Sequence, residues 1–87
     1  MMESRHQPPE WWQWELELTP HLFKRMIDRQ FNEVDLRAML ADVTDFEPEA
    51  NGRFILQTRH GGRDWDVIVE PDDTERVLLV ITAYPRE

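Results

Sequence analysis

The sequence predicts one α+β domain: a strand, two short helices, then a three-stranded antiparallel meander, with the helices packed on one face of a four-stranded sheet. Three observations predict it. Residues 12 to 18 alternate between apolar and polar, two helical stretches follow back to back, each behind a capping residue, and Gly- and Pro-bearing turns then divide residues 54 to 84 into three β-rich runs. At 87 residues the chain has the length of one domain. A domain of this size buries about 60–65% of its unfolded surface, so its stability is expected to be marginal.

Residues 1–10 are polar, carry Pro8-Pro9 and lack the apolar stretch of a signal peptide, so they are expected to form a flexible lead-in to a domain over residues 11–87. In the first strand Trp12, Trp14, Leu16 and Leu18 share one face, and Gln13, Glu15 and Glu17 share the other. Trp11 breaks that pattern and is expected to shield an edge. Thr19-Pro20 then starts a helix, a capping hydroxyl followed by Pro at the first helical position. This helix is expected to reach about Gln30. Leu22, Phe23, Met26 and Ile27 form its apolar stripe, opposite His21, Lys24, Arg25, Asp28 and Arg29. Asn32 caps a second helix with Glu33 and Asp35 in its first turn, where the helix dipole favours acids. Leu36, Met39, Leu40 and Val43 fall on its inner face. The join between the helices is short, which predicts a tight corner.

Residues 42–52 read as a loop: four acids, no base, Pro48 and Asn51-Gly52, with Phe46 as an anchor. The meander strands run from Phe54 to His60, Asp64 to Glu70 and Arg76 to Tyr84. Gly61-Gly62 forms the first hairpin turn and Pro71 to Thr74 the second. Trp65, Val67 and Val69 give the middle strand its core face. On the last strand Val77, Leu79, Ile81 and Ala83 are assigned inward, because the alternate set, Leu78, Val80, Thr82 and Tyr84, ends polar. The open face is then expected to carry Gln57, Arg59, Asp66, Thr82 and Tyr84, the mixed composition usual for an antiparallel sheet.

Composition narrows the function. There is no cysteine, which excludes disulfides, thiolate catalysis and zinc-thiolate sites and fits a reducing cytoplasm. No apolar run approaches the roughly 18 residues of a membrane span. The net charge of −8 opposes tight nucleic-acid binding, in which neutralising phosphates supplies most of the affinity. Lys24 is the sole lysine, and the other bases are Arg, suited to bidentate recognition of phosphate or carboxylate.

His21, Arg25 and Arg29 recur at helical spacing and could form an anion site; a solvated helix face with an ion pair from Asp28 to Lys24 or Arg25 is the ordinary alternative. His60, beside Gly61-Gly62-Arg63, is either a base at a hairpin end or an exposed turn neighbour. No spacing such as H-E-x-x-H supports a metal site from His21, His60 and Asp66. Arg53, Arg59 and Tyr84 form the meander's most reactive set. A metal-free ribonuclease needs a base for the 2′-hydroxyl, a donor for the leaving oxygen and cations for the phosphate, and Tyr and Arg can fill those roles if they converge. Asp66 and Glu70 on the same face would repel a phosphate or occupy the guanidiniums. The acidic segment Asp42 to Glu49 is a solvated loop or a landing place for a basic partner.

Several short motifs recur in a familiar order. Thr19-Pro20-His21-Leu22-Phe23-Lys24-Arg25-Met26 resembles a His-x-x-x-Arg-Met helix start, and Arg29-Gln30-Phe31-Asn32-Glu33-Val34-Asp35 resembles an Arg-x-aliphatic-Ser-Glu-x-Asp link. Arg53 to Leu56, Gly62-Arg63 and Val80 to Pro85 complete the series. Over residues 14 to 85 the chain resembles a small bacterial family of unknown function that is grouped with the RelE/ParE-type toxin fold and is close in style to BrnT. The resemblance implies a strand-helix-helix-meander fold and kinship with metal-independent endoribonuclease toxins that an antitoxin neutralises. It carries over to His21, Arg25, Arg29, Arg53, Arg63 and Tyr84. Phe31 and Asn32 replace the usual aliphatic residue and Ser, and the acidic charge departs from the basic character of such toxins.

The expected function is therefore an RNA-cleaving toxin, with Tyr84, His21 and Arg53 catalytic, Arg25, Arg29, Arg59 and Arg63 on phosphate, and no cofactor. The alternative is a non-catalytic module of the same fold that docks an antitoxin or other protein partner by its open face or its edge near Trp11.

Overall fold

The computed structural model describes Trp11 and residues 14–86 of the chain. The expected lead-in over residues 1–10, and Trp12 and Gln13 of the first strand, lie outside the described residues. Strand β1 (Glu15–Leu18) leads into helices α1 (Pro20–Asp28) and α2 (Glu33–Ala41), followed by β2 (Asp45–Pro48), a 3-10 turn (Ala50–Gly52), β3 (Phe54–His60), β4 (Arg63–Asp72) and β5 (Val77–Pro85). The α+β class matches the expectation, but an additional strand, β2, stands between the helices and the meander. The sheet has five strands rather than four, in the order β1-β5-β4-β3-β2.

Both helix starts form as their residues require. Thr19 Oγ1 accepts the Leu22 N–H at 3.2 Å and Pro20 opens α1. Asn32 and Asp35 exchange side-chain and backbone bonds of 2.9 and 3.0 Å, a complete capping box. Helix α1 ends earlier than expected, at Asp28. Arg29 is its C-cap, and Gln30 takes a positive φ of 58° to turn the chain into α2.

The expected four-residue apolar stripe of α1 is corrected. Leu22 is buried and Met26 packs against the core, but Phe23 and Ile27 are 52% and 79% exposed. Helix α1 packs chiefly along β5, near one side of the sheet, so it has little surface to set a broad stripe against.

The acidic loop is also corrected. Its first half is edge strand β2, antiparallel to β3, with Phe46 opposite Leu56 and turned toward the core. Trp11 packs against Phe46 and Phe54 at ring distances of 6.4 and 5.0 Å, at this edge of the sheet. Strand β1 lies on the other edge, parallel to β5.

The largest correction concerns β5. Leu78 and Val80 are buried in the core, as is Ala83, whereas Val77 and Leu79 stand on the open face. A bulge reconciles the two: Val69 pairs with Val80 and Ile68 with Thr82, so Ile81 is the extra residue. One unpaired residue reverses the alternation, and core positions 78 and 80 are followed by 83 rather than 82. Thr82 and Tyr84 still reach the open face, as expected. The β3–β4 hairpin turns at Gly61 and Gly62, both at positive φ (60° and 79°), the geometry that favours this dipeptide. The β4–β5 turn falls later than Pro71 to Thr74: β4 continues to Asp72, whose Oδ1 accepts the N–H groups of Thr74 and Glu75.

Leu22, Leu36, Met39, Leu56, Val67 and Val80 form a core between helices and sheet, each fully buried. Each such side chain contributes about 1.5–3 kcal/mol on leaving water. Thr58, the one buried polar residue among those described, donates its hydroxyl to the Met39 carbonyl at the end of α2. No helix of the described residues is long and apolar enough to cross a membrane.

Candidate functional site

Tyr84 is the natural centre of the site, because the bulge at Ile81 sets it on the open face. It pairs across the ladder with Asp66, which pairs in turn with Gln57. The next row holds Ile55, Ile68 and Thr82. The alternation of a pleated strand thus brings together side chains far apart in sequence.

The predicted residues divide into three groups. Arg29 is the cation closest to the expected arrangement: its Nη1 donates to the Ala83 carbonyl at 3.1 Å, on the residue before Tyr84. Helical spacing puts Arg25 and His21 on the same ridge of α1, but Arg25 Nη1 lies 3.3 Å from Asp28 Oδ2 and His21 is exposed. The other three stand on the sheet's margins. Arg53 Nε is 3.2 Å from Glu70 Oε1. Arg59 grips Asp64 at 2.7 Å and the Gly62 carbonyl at 3.1 Å, across the hairpin. Arg63 is exposed in the same hairpin, opposite His60. Three of the seven predicted residues, Arg25, Arg53 and Arg59, are therefore already in carboxylate pairs.

Sequence reading missed Arg86. Its Nε lies 3.4 Å from Asp66 Oδ1, close enough for an ion pair, yet that buried oxygen has no hydrogen-bond partner. The pair is near but not aligned, and the carboxylate keeps an unused acceptor. Strand periodicity could have found Arg86, since it lies two residues beyond Tyr84.

Electrostatics around Tyr84 favour the protonated phenol. Burial holds its pKa above the usual tyrosine range, and the Asp66 and Glu49 carboxylates add to the rise, against the pull of Arg86 and Arg29. Burial also raises the Asp66 carboxyl, opposed by Arg86 and reinforced by Asp64. A phenol in this setting can donate a hydrogen bond but is a poor base at neutral pH.

His60, left open in sequence, is tied into the fold. Its Nε2 is 3.3 Å from Asp35 Oδ1, and its ring meets Trp65 edge-on at 6.4 Å. It links the β3–β4 hairpin to the start of α2. Among the described residues no group of three or more His, Cys, Asp or Glu could hold a metal ion. A cavity of about 500 Å³ lined by Trp14, Glu15, Leu16 and Arg37 includes none of the predicted site residues. Comparison with family models, with curated proteins and with solved structures returned no match to the chain.

Proposed function

We propose that the domain is a non-catalytic protein-binding module, on a frame of the RelE/ParE kind, whose open sheet face receives its partner. The observation that carries this reading is the charge around Tyr84. A phosphate there would meet Asp66 and Glu49, and of the predicted cations only Arg29 lies beside Tyr84 without a carboxylate partner. Carboxylates near a reacting phosphate repel it and compete for the guanidiniums. A protonated phenol and paired arginines instead suit a surface that recognises by hydrogen bonds and fixed charge.

One observation favours the toxin reading as the alternative. Arg29 is anchored beside Tyr84, on the α1 ridge that also carries His21 and Arg25. A metal-independent nuclease built there would use Arg29 and Arg25 on phosphate and Tyr84 as proton donor.

The two readings separate in one experiment. Purified protein is incubated at micromolar concentration with a mixed RNA substrate, alongside R29A and Y84F variants, and the wild type is expressed in a bacterial host. The module reading expects intact RNA in every tube and normal growth. RNA cleavage by wild type that both variants abolish would establish the toxin.

A further inference from the structure

The open face has a pattern of its own, most regular along β4. Asp66, Ile68 and Glu70 follow one another at every second position, so acid, aliphatic and acid stand in line on this face. Ile68 is 7% exposed although both helices pack on the other face. Ile55 adjoins it in its own row, and Leu79 stands beside Glu70, which extends the apolar strip across the sheet. The outer strands add carboxylates: Glu15 and Glu17 on β1, Asp45 and Glu47 on β2, all exposed.

The cations that meet this line are loosely held. Arg53 and Arg86 pair with Glu70 and Asp66, but their side chains are 42% and 45% exposed. The Arg53–Glu70 pair is exposed on both sides, and solvent-exposed ion pairs contribute little, about 0–1 kcal/mol, so an incoming cation can join or displace it. Asp66 Oδ1 itself is buried and 3.4 Å from Arg86 Nε, and the Asp66 side chain is 13% exposed.

We propose that this face takes an extended cationic segment of a partner protein, with the pattern Arg/Lys-x-aliphatic-x-Arg/Lys. The proposal rests on the module reading and adds the chemistry of the partner. Residues on one side of an extended chain repeat at about 6.6–6.8 Å, the same interval that separates Asp66, Ile68 and Glu70 along their own strand. The aliphatic residue lies over Ile68 and Ile55, and the flanking cations meet Asp66 and Glu70. Opposite charge steers the encounter and fixes register, and the apolar strip supplies the buried contact.

The test is a methyl NMR titration of the full chain with three synthetic peptides: Arg-Thr-Val-Thr-Arg repeats, and versions with Gln or Glu in place of Arg. The Arg peptide is expected to produce saturable shifts at Ile55, Ile68 and Leu79. The double variant D66N/E70Q, its fold checked by circular dichroism, is expected to bind it about tenfold more weakly, a loss of about 1.4 kcal/mol. Equal binding of the Glu peptide at the same methyls would overturn the cationic partner while leaving the docking face intact. No saturable shift of those methyls with any peptide would overturn both. Dilution-dependent shifts linking Ile27 to the open face, with no response to the Arg peptide, would make a second copy of the chain the occupant and overturn the proposal.

Discussion

Replacing Thr19 with Val removes the hydroxyl's bonds to Leu22 and Val80, and a longer one to the Ile81 carbonyl at 3.4 Å, while keeping the side chain's shape. Thr19 Oγ1 accepts the Leu22 N–H at 3.2 Å and donates to the Val80 carbonyl at 2.9 Å, so a single hydroxyl caps α1 and ties it to β5. Loss of a capping hydroxyl costs about 0.5–2 kcal/mol. Loss of the bond to Val80 costs about 0.5–1.5 kcal/mol. The Val80 carbonyl keeps the Thr19 N–H at 3.4 Å, which argues against the upper end of that range. The sum is about 1–3 kcal/mol, and a domain of this length loses about 4–8 °C of Tm per kcal/mol. T19V is therefore expected to melt roughly 5–20 °C below wild type by circular dichroism. T19S, which restores the hydroxyl, is expected to recover most of the loss. A T19V variant that melts with the wild type would refute the assignment of α1 to β5 through this residue. It would also weaken the position of Arg29 beside Tyr84, which depends on the same helix.

Two further expectations follow from the sheet. Burial raises the Asp66 carboxyl above its unfolded value, so the native state holds that proton more tightly; the resulting penalty is absent below the ordinary Asp range and present above the raised value. D66N is thus expected to melt above wild type at neutral pH, with the gain shrinking as pH falls through the usual carboxylate range; a gain that grows toward acid pH would reverse the sign of the argument. Deleting Ile81, the extra residue of the bulge, is expected to leave Leu78, Val80 and Ala83 on the core face, with a native far-ultraviolet spectrum and a loss of about 1–3 kcal/mol in urea unfolding; an unfolded deletion variant would show that the bulge is required for the fold.

The helix starts were legible because capping is local: Thr19-Pro20 and Asn32 with Asp35 announce themselves within four residues. The Gly61-Gly62 hairpin was legible for the same reason. Strand β2 was not. It is short, acidic and ends in Pro48, and only the alternation of Asp45, Phe46 and Glu47 betrays it. The face of β5 was illegible because residues 77–81 are all aliphatic, so no alternation shows where the bulge falls. Phe23 and Ile27 misled because helical period reports an apolar stripe, not how much of it a neighbouring sheet covers. At the site, Tyr84 and Asp66 were placed on the open face by period alone. The pairing of Arg59 with Asp64 could have been read from the hairpin register, since both flank the Gly turn. The pairing of Arg53 with Glu70 follows from the same register, since Phe54 pairs with Val69 and the next position sets Arg53 against Glu70.

Tyr84 is the only tyrosine in the chain, so its phenol can be titrated by ultraviolet absorbance without overlap from another tyrosine. If burial and carboxylates dominate its surroundings, the midpoint lies above the value of about 10 for a free tyrosine, and D66N moves it down. A midpoint below that of free tyrosine, insensitive to D66N, would mean that the arginines dominate the field at Tyr84, and the site would then be suited to phosphate after all.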